Sequence, residues 1–260
     1  MKRLFRYTAT LLLLALVLAG CSRKPPLNLF DEEQSYSALV QQYNDGDYQD
    51  AVDGLNFYTL NFSGSGKVDS AQFLLGQAQF KLKEYLVAAA SFEELINRFP
   101  SSPLVADAMY MIGESYWKMS PKYNLDQEYT DRAVNALQSF IEFYPEQTEK
   151  VNSATALILL CREKLAHKTY HSGLIYLKMK DYAAAAIYFR DVMELYYDTT
   201  WKVSAQYQLG MALMGDKLYD EAITAFRQFI DDNVDHELIG KARRNITKSQ
   251  NLFTASTKTP

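Results

Sequence analysis

The chain is predicted to be all-α, a superhelix of about five helix-turn-helix units closed by a C-terminal capping helix. Three observations in its 260 residues predict this class. In Tyr48-Gln49-Asp50-Ala51, Tyr85-Leu86-Val87-Ala88, Tyr182-Ala183-Ala184-Ala185 and Tyr219-Asp220-Glu221-Ala222, a tyrosine stands three residues ahead of an alanine, and Leu or Phe follows four residues after it. With Ala133, these alanines are 37, 45, 52 and 37 residues apart, the scale of a helical-hairpin repeat and not of a coiled coil or propeller. Gly76, Gly173 and Gly210 each lie twelve residues before their alanine, while Gly113 stands further ahead because an insertion intervenes. A helix-interior glycine costs about 1 kcal/mol relative to alanine, so its recurrence calls for close helix approach, with the alanine of the second helix expected to meet it. Composition agrees: 48% hydrophobic and 22% charged residues suit a folded chain, and no long β-branched alternation or hairpin dipeptide occurs.

The elements follow in chain order. Lys2, Arg3 and Arg6 precede an apolar run from Ala9 to Ala19, too short to span a bilayer, so residues 1–20 read as a signal peptide. The run ends in Leu18-Ala19-Gly20-Cys21, which is similar to the lipobox of bacterial lipoproteins, in which the Cys is acylated. Cys21 is therefore the expected lipidation site, and Ser22 behind it favours the outer membrane. Residues 21–30 form a tether, since Pro25 and Pro26 exclude helix. Residues 31–145 hold units one to three, and 146–253 hold units four and five with a capping helix from about Glu237 to Phe253; 254–260 read as a disordered tail. Pro100 and Pro145, each twelve residues past an alanine, are expected to stop the second helices of units two and three; Ser63, Tyr197 and Val234 occupy that slot elsewhere. Spaced this way, the glycine, alanine and proline positions resemble the tetratricopeptide repeat.

Several functions are excluded by composition. Removing Lys2, Arg3 and Arg6 leaves 24 of 27 basic side chains against 31 acidic ones, a net charge near −7, so nucleic acid is not an expected partner. Apart from Cys21 there is only Cys161, set in the apolar Leu157-Ile158-Leu159-Leu160 run and read as a buried helix residue. Glu163, His167 and His171 share one helical face at four-residue spacing, yet no further ligand set accompanies them, so neither a metal nor any other cofactor is expected. No catalytic constellation is found, and the chain reads as a binding protein and not an enzyme.

Binding residues come from aligning the first helices of units one to three. Tyr36, Phe73 and Tyr110 coincide at a 37-residue interval, as do Tyr43, Phe80 and Trp117, and the two members within each unit are seven residues apart on one helical face. The result is a two-by-three aromatic ladder suited to an extended peptide. The first column is also aromatic in the later units, at Tyr170 and Tyr207, which favours packing there; the second changes to Leu177 and Met214.

The lipobox, the short tether, the insertion in the third unit and the segments Arg98-Phe99-Pro100-Ser101-Ser102-Pro103, Tyr123-Asn124-Leu125-Asp126-Gln127, Asp131-Arg132-Ala133 and Phe143-Tyr144-Pro145 together resemble the ComL/YfiO (BamD) family of tetratricopeptide lipoproteins. The resemblance spans residues 21 to 253. It implies an outer-membrane lipoprotein facing the periplasm, a non-enzymatic scaffold of the β-barrel assembly (BAM) complex. The implied partners are a BamA-like barrel protein with periplasmic repeat domains, engaged by the C-terminal half, unfolded β-barrel clients whose C-terminal signals enter the groove of units one to three, and outer-membrane lipid through acylated Cys21. The partner-binding region carried over from the family falls on Tyr188 and, two residues on, Arg190, whose side chains point about 200° apart on a helix. The alternative is another periplasmic tetratricopeptide lipoprotein, for example an adaptor coupling cell-wall synthesis to envelope constriction; the 45- and 52-residue spacings count against its regular units.

Overall fold

A computed structural model describes residues 31–257, which form eleven α-helices and no strand. Five antiparallel pairs precede a single helix: α1 (Glu32–Asn44) with α2 (Tyr48–Asn61), α3 (Val68–Lys81) with α4 (Tyr85–Arg98), α5 (Val105–Met119) with α6 (Glu128–Phe143), α7 (Thr148–Met179) with α8 (Tyr182–Leu195), α9 (Trp201–Gly215) with α10 (Tyr219–Asp232), and α11 (Ile239–Thr257). The expected all-α repeat class is what the chain adopts. Cys21 and the tether lie outside the described residues.

Four of the hairpins turn in the same way. Gly46, Lys83, Lys180 and Lys217 adopt the left-handed conformation with φ between 63° and 85°. The next residue's N–H, from Asp47, Glu84, Asp181 or Leu218, donates to a carbonyl five residues back at 2.9–3.0 Å. This αL termination satisfies carbonyls that the helix end would otherwise orphan. Asp181 and Asp31 then cap the helices that follow them, accepting from the backbone N–H groups of Ala184 and Gln34.

The glycines do require close approach, but their partner differs from the expected one. A methyl group added at Gly76, Gly173 or Gly210 would lie 2.6–2.7 Å from the ring of Phe92, Phe189 or Phe226, and one at Gly113 would lie 2.5 Å from Leu137. The glycine therefore receives the large residue four positions after the alanine. Alanine itself is too short to reach across; buried at 0% exposure, it lets the second helix come close enough for the larger side chain to fill the gap. Unit one inverts the arrangement, with Leu39 on the first helix pressed against Gly54 on the second.

Proline is not what stops the second helices. All five end ten residues after their alanine, at Asn61, Arg98, Phe143, Leu195 and Asp232, whether or not a proline follows. The same turn then recurs, with Ser65, Ser102, Gln147, Thr199 and His236 donating to the carbonyl three residues back. The stop is thus a property of the repeat register and its shared turn.

Two departures from regularity position the site. The 52-residue interval, fifteen more than the regular 37, becomes an extension of α7 to 32 residues. Its first half packs Ala154, Val151, Leu157 and Ile158 against Leu137 and Phe140 of unit three, and its second half packs Tyr170, Leu174 and Leu177 into the core of units four and five. Fifteen residues are about four helical turns, so both halves present a packing face in nearly the same direction. Cys161 is fully buried, and desolvation pushes its thiol up to about 12, consistent with a packing role. The second departure is the α5–α6 connection, residues 120–127.

Three neighbouring pairs of first helices touch, α1 with α3, α5 with α7 and α7 with α9, with no comparable contact between second helices. The first helices therefore form the inner, tighter side of the superhelix. The capping helix begins at Ile239 and continues to Thr257, so residues 254–257, expected in a disordered tail, are helical. It buries Ala242 and Ser249 and exposes Arg244 and Thr247, which stand 37 residues after Tyr207 and Gly210. At these two positions polar residues stand where the earlier units place the ring and the glycine, and among the described residues no second helix packs behind α11.

Candidate functional site: an aromatic inner face ending in a lysine-rimmed cavity

The structure separates the two columns of the aromatic ladder. Every first-column ring packs on an aromatic of its own second helix: Tyr36 on Tyr58 at 5.7 Å, Phe73 on Phe92 at 5.4 Å and Tyr110 on Phe140 at 5.7 Å. Tyr170 and Tyr207 do the same with Phe189 and Phe226. This column holds hairpins together. In the second column, Tyr43 meets Tyr48 and Phe80 meets Tyr85 edge-on, at 5.5 and 5.1 Å; the rings of both columns are half-buried. Burial raises the Tyr43 and Tyr110 phenols above their ordinary value, so both stay neutral.

Trp117 has no such tyrosine partner. The Lys164 Nζ of α7 sits 4.4 Å from its ring centroid and donates to Ser120 Oγ at 2.6 Å and to the Ser120 carbonyl at 3.3 Å. Lys164 thereby ties the α5–α6 connection to α7, and Lys168 adds a second tie by donating to the Leu125 carbonyl. Inside the connection, buried Gln127 donates to the carbonyls of Lys122 and Leu125 and accepts from Thr130 Oγ1. A side-chain amide thus replaces the backbone bonds that close the shorter turns.

Held in this way, Tyr123 stacks on His167 at 3.6 Å and 20°, and His167 stacks on Trp201 at 4.1 Å and 13°. The three rings come from the connection, from α7 and from the first residue of α9. Together with Lys122, Glu163 and Lys164 they line a shallow, solvent-open cleft of about 350 Å³. Burial lowers the His167 imidazole below its ordinary value and nearby His171 adds to the effect, so the stack holds a neutral ring at pH 7. Burial likewise lowers the Lys164 amine. Glu163 spends both oxygens on the start of α9, accepting from Thr200 N at 2.7 Å and Thr200 Oγ1 at 2.8 Å.

Among the described residues no group of His, Cys, Asp and Glu is arranged to hold a metal ion. The face shared by Glu163, His167 and His171 instead caps a helix and carries a ring stack. Sequence reasoning found those three residues but missed Tyr123 and Trp201 as their partners. The extra length of unit three marked the connection; nothing in the sequence marked Trp201, which reaches the stack through the superhelix.

The C-terminal region named from the family resemblance is also in view. Tyr188 of α8 stacks on Tyr176 of α7 at 5.2 Å and 13°, while Arg190 turns away and pairs with Glu221 of α10 at 3.4 Å. Ile175, Met179 and Ile187 beside the stack are 59%, 68% and 57% exposed, an apolar surface uncommon in so regular a scaffold.

Fold and site together define a tetratricopeptide scaffold whose first helices line an aromatic inner face. The family model described as an outer membrane lipoprotein, YfiO, matches residues 30–206, well over half of the chain, and the chain belongs to that family. A tetratricopeptide-repeat model matches residues 204–235. Similar relatives include the outer membrane protein assembly factor BamD of Rickettsia prowazekii, 26% identical over 227 residues covering 85% of this chain and 88% of that one. BamD of Caulobacter vibrioides is 27% identical over 83% of this chain and 72% of its own length, and BamD of Haemophilus influenzae is 24% identical over 90% and 92%. Among solved structures, the TPR2AB-domain:pHSP90 complex of yeast Sti1 aligns at 11% identity over 84% of this chain and 83% of that chain, with a TM-score of 0.39. The chain is an outer-membrane-associated interaction scaffold and not an enzyme.

Proposed function

We propose that this protein serves the β-barrel assembly complex as its lipid-anchored periplasmic scaffold, attached to the outer membrane through acylated Cys21. In this reading Tyr43, Phe80 and Trp117 form the working wall of a groove for client C-terminal signals, while Tyr36, Phe73 and Tyr110 brace that wall from behind. The C-terminal half, around Tyr188 and Arg190, engages a BamA-like barrel subunit through its periplasmic repeat domains. The observation that carries the reading is the second column itself: three half-buried aromatic rings at one register on successive first helices, in a chain of the YfiO family. Aromatic rings bind apolar and aromatic peptide side chains at little entropic cost. The apolar surface at Ile175, Met179 and Ile187 supports a permanent partner on the opposite part of the chain.

Affinity capture of the tagged chain from mildly extracted outer membranes is expected to bring down a large barrel protein in stoichiometric amount. Recovery of cell-wall synthases instead overturns the proposal in favour of the constriction adaptor. A photocrosslinker at Trp117 is expected to capture client C-terminal segments. Capture at Tyr207 and not at Trp117 removes the groove from units one to three.

A further inference from the structure

Charge changes sign between the last two helices. Residues 219–237, which hold α10 and the turn after it, carry six carboxylates against Arg227 alone. From Leu238 to Pro260 the sequence has no acidic residue, and α11 carries Lys241, Arg243, Arg244 and Lys248. Elsewhere the chain pairs its surface cations with carboxylates one turn away, as Arg98 does with Glu94 and Arg132 with Glu128. All four α11 cations are exposed, and no ion pair among the described residues includes them.

The packing of α11 explains why. Its inner side buries Ala242 and Ser249, and the Asn245 amide donates to Tyr207 Oη of α9 at 3.2 Å. Helical geometry then sets Lys241, Arg244 and Lys248 together along one outward stripe, with Arg243 on the opposite flank of the exposed side. Thr247, Gln250 and Asn251, also exposed, fill the rest of that side, and no large apolar side chain stands among the cations. A protein interface is built round an apolar or aromatic centre in which lysine is depleted. A layer of phosphate headgroups asks only for charge density. No described helix is long and apolar enough to cross a membrane, so α11 can lie against such a layer without entering it. The chain as a whole has a net charge of −4 and is repelled by an anionic surface, so a helix without carboxylates decides which part approaches it.

We infer that the exposed face of α11 is a docking surface for anionic phospholipid headgroups, through which the C-terminal end of the chain rests on the membrane that holds its N-terminal end. This inference rests on the membrane attachment in the reading above and not on its peptide groove or barrel partner. Each cation near an anionic surface is worth about five-fold in partitioning, so four give a weak and salt-screened hold. Attachment elsewhere makes that hold effective by confining the helix close to the surface. Contacts at both ends fix how the superhelix lies on the membrane, whereas one contact leaves it free to pivot.

The test returns the processed full chain to vesicles of neutral phosphatidylcholine or of phosphatidylcholine with phosphatidylglycerol. Cys161 is buried, so a fluorophore on Thr247→Cys reports the approach of α11 by energy transfer to headgroup-labelled lipid. The chain is expected to float with both vesicles, with strong transfer only where phosphatidylglycerol is present and with a decline as salt is raised. Combining Lys241→Gln, Arg244→Gln and Lys248→Gln is expected to lower headgroup partitioning of the helix about 100-fold, while Lys241→Arg with Lys248→Arg preserves it. Equal transfer in the two vesicles overturns the inference even where flotation with both upholds attachment, and so does a lipid dependence that survives the triple variant. Flotation with phosphatidylglycerol alone, lost in the triple variant, keeps the inference and removes the lipid anchor. Flotation with neither overturns both. Loss of a co-purifying acidic protein from the triple variant, with transfer unaffected, assigns the face to that protein and overturns the inference.

Discussion

The hairpin of unit three and the other four solve the same problem by different means. Four hairpins reverse the chain in two or three residues, closed by one left-handed residue and a backbone hydrogen bond. The third takes eight residues, closes on the Gln127 amide and is held down by Lys164 and Lys168 from the following helix. The short turns each join the two helices of one unit. The long one places Tyr123 on His167 and creates a cavity, because a connection that must borrow its hydrogen bonds from another unit also brings its side chains there. In this solenoid the irregular connection brings together residues of three units, whereas each regular turn joins only its own two helices.

The comparison can be broken most severely at the packing positions. Phe226→Ala and Phe92→Ala each remove a fully buried ring seated against a glycine and are expected to cost about 3–5 kcal/mol in a urea titration. An equally large loss from Tyr123→Ala would erase the distinction between packing and site. Next in size, Gly210→Ala places a methyl 2.6 Å from the Phe226 ring and is expected to cost about 1–3 kcal/mol, although alanine is the better helix former. An outcome near zero would mean that Phe226 can move and that the glycine register is not a packing device.

Smaller effects are expected at the turns. Lys83→Gly, Lys180→Gly and Lys217→Gly each relieve a left-handed side chain and are expected to stabilise by about 0.5–1 kcal/mol, whereas Gly46→Ala, with open space around its added methyl, destabilises through backbone strain alone. No change in the lysine variants would leave the αL termination without energetic weight. The smallest effect is a pH dependence belonging to the long connection. The folded-state pKa of His167 is lowered, so its contribution is complete above the ordinary histidine range and is lost as pH falls through the folded value. Melting of His167→Phe is expected to be flatter than that of the parent between about pH 7 and pH 5. Identical slopes would show that the stack does not restrain the imidazole.

Tetratricopeptide units were legible because local rules write them: each alanine, glycine and large apolar residue occupies a set offset along one helix, and helical periodicity puts them on one face. Tyr36, Phe73 and Tyr110 could be placed on the ladder, and their recurrence at Tyr170 and Tyr207 already argued for packing. What faced the glycine was not legible, since it depends on the separation of two helices and not on spacing within either; the answer was the residue four past the alanine. Proline at the ends of two units was misleading, because all five second helices end ten residues after their alanine whether or not a proline follows.

By itself the sequence determined the repeat class, the number of units, the two irregular intervals and the family features that run from the lipobox to the third-unit connection. These depend on residues near one another along the chain. The tertiary structure alone decided that the fifteen extra residues extend α7 as one continuous helix and that Trp201 completes a stack begun by Tyr123. It also decided that Lys164 rests on the Trp117 ring and ties Ser120 to α7. Those outcomes depend on how successive hairpins rotate against each other, a sum of many side-chain contacts that no single spacing encodes.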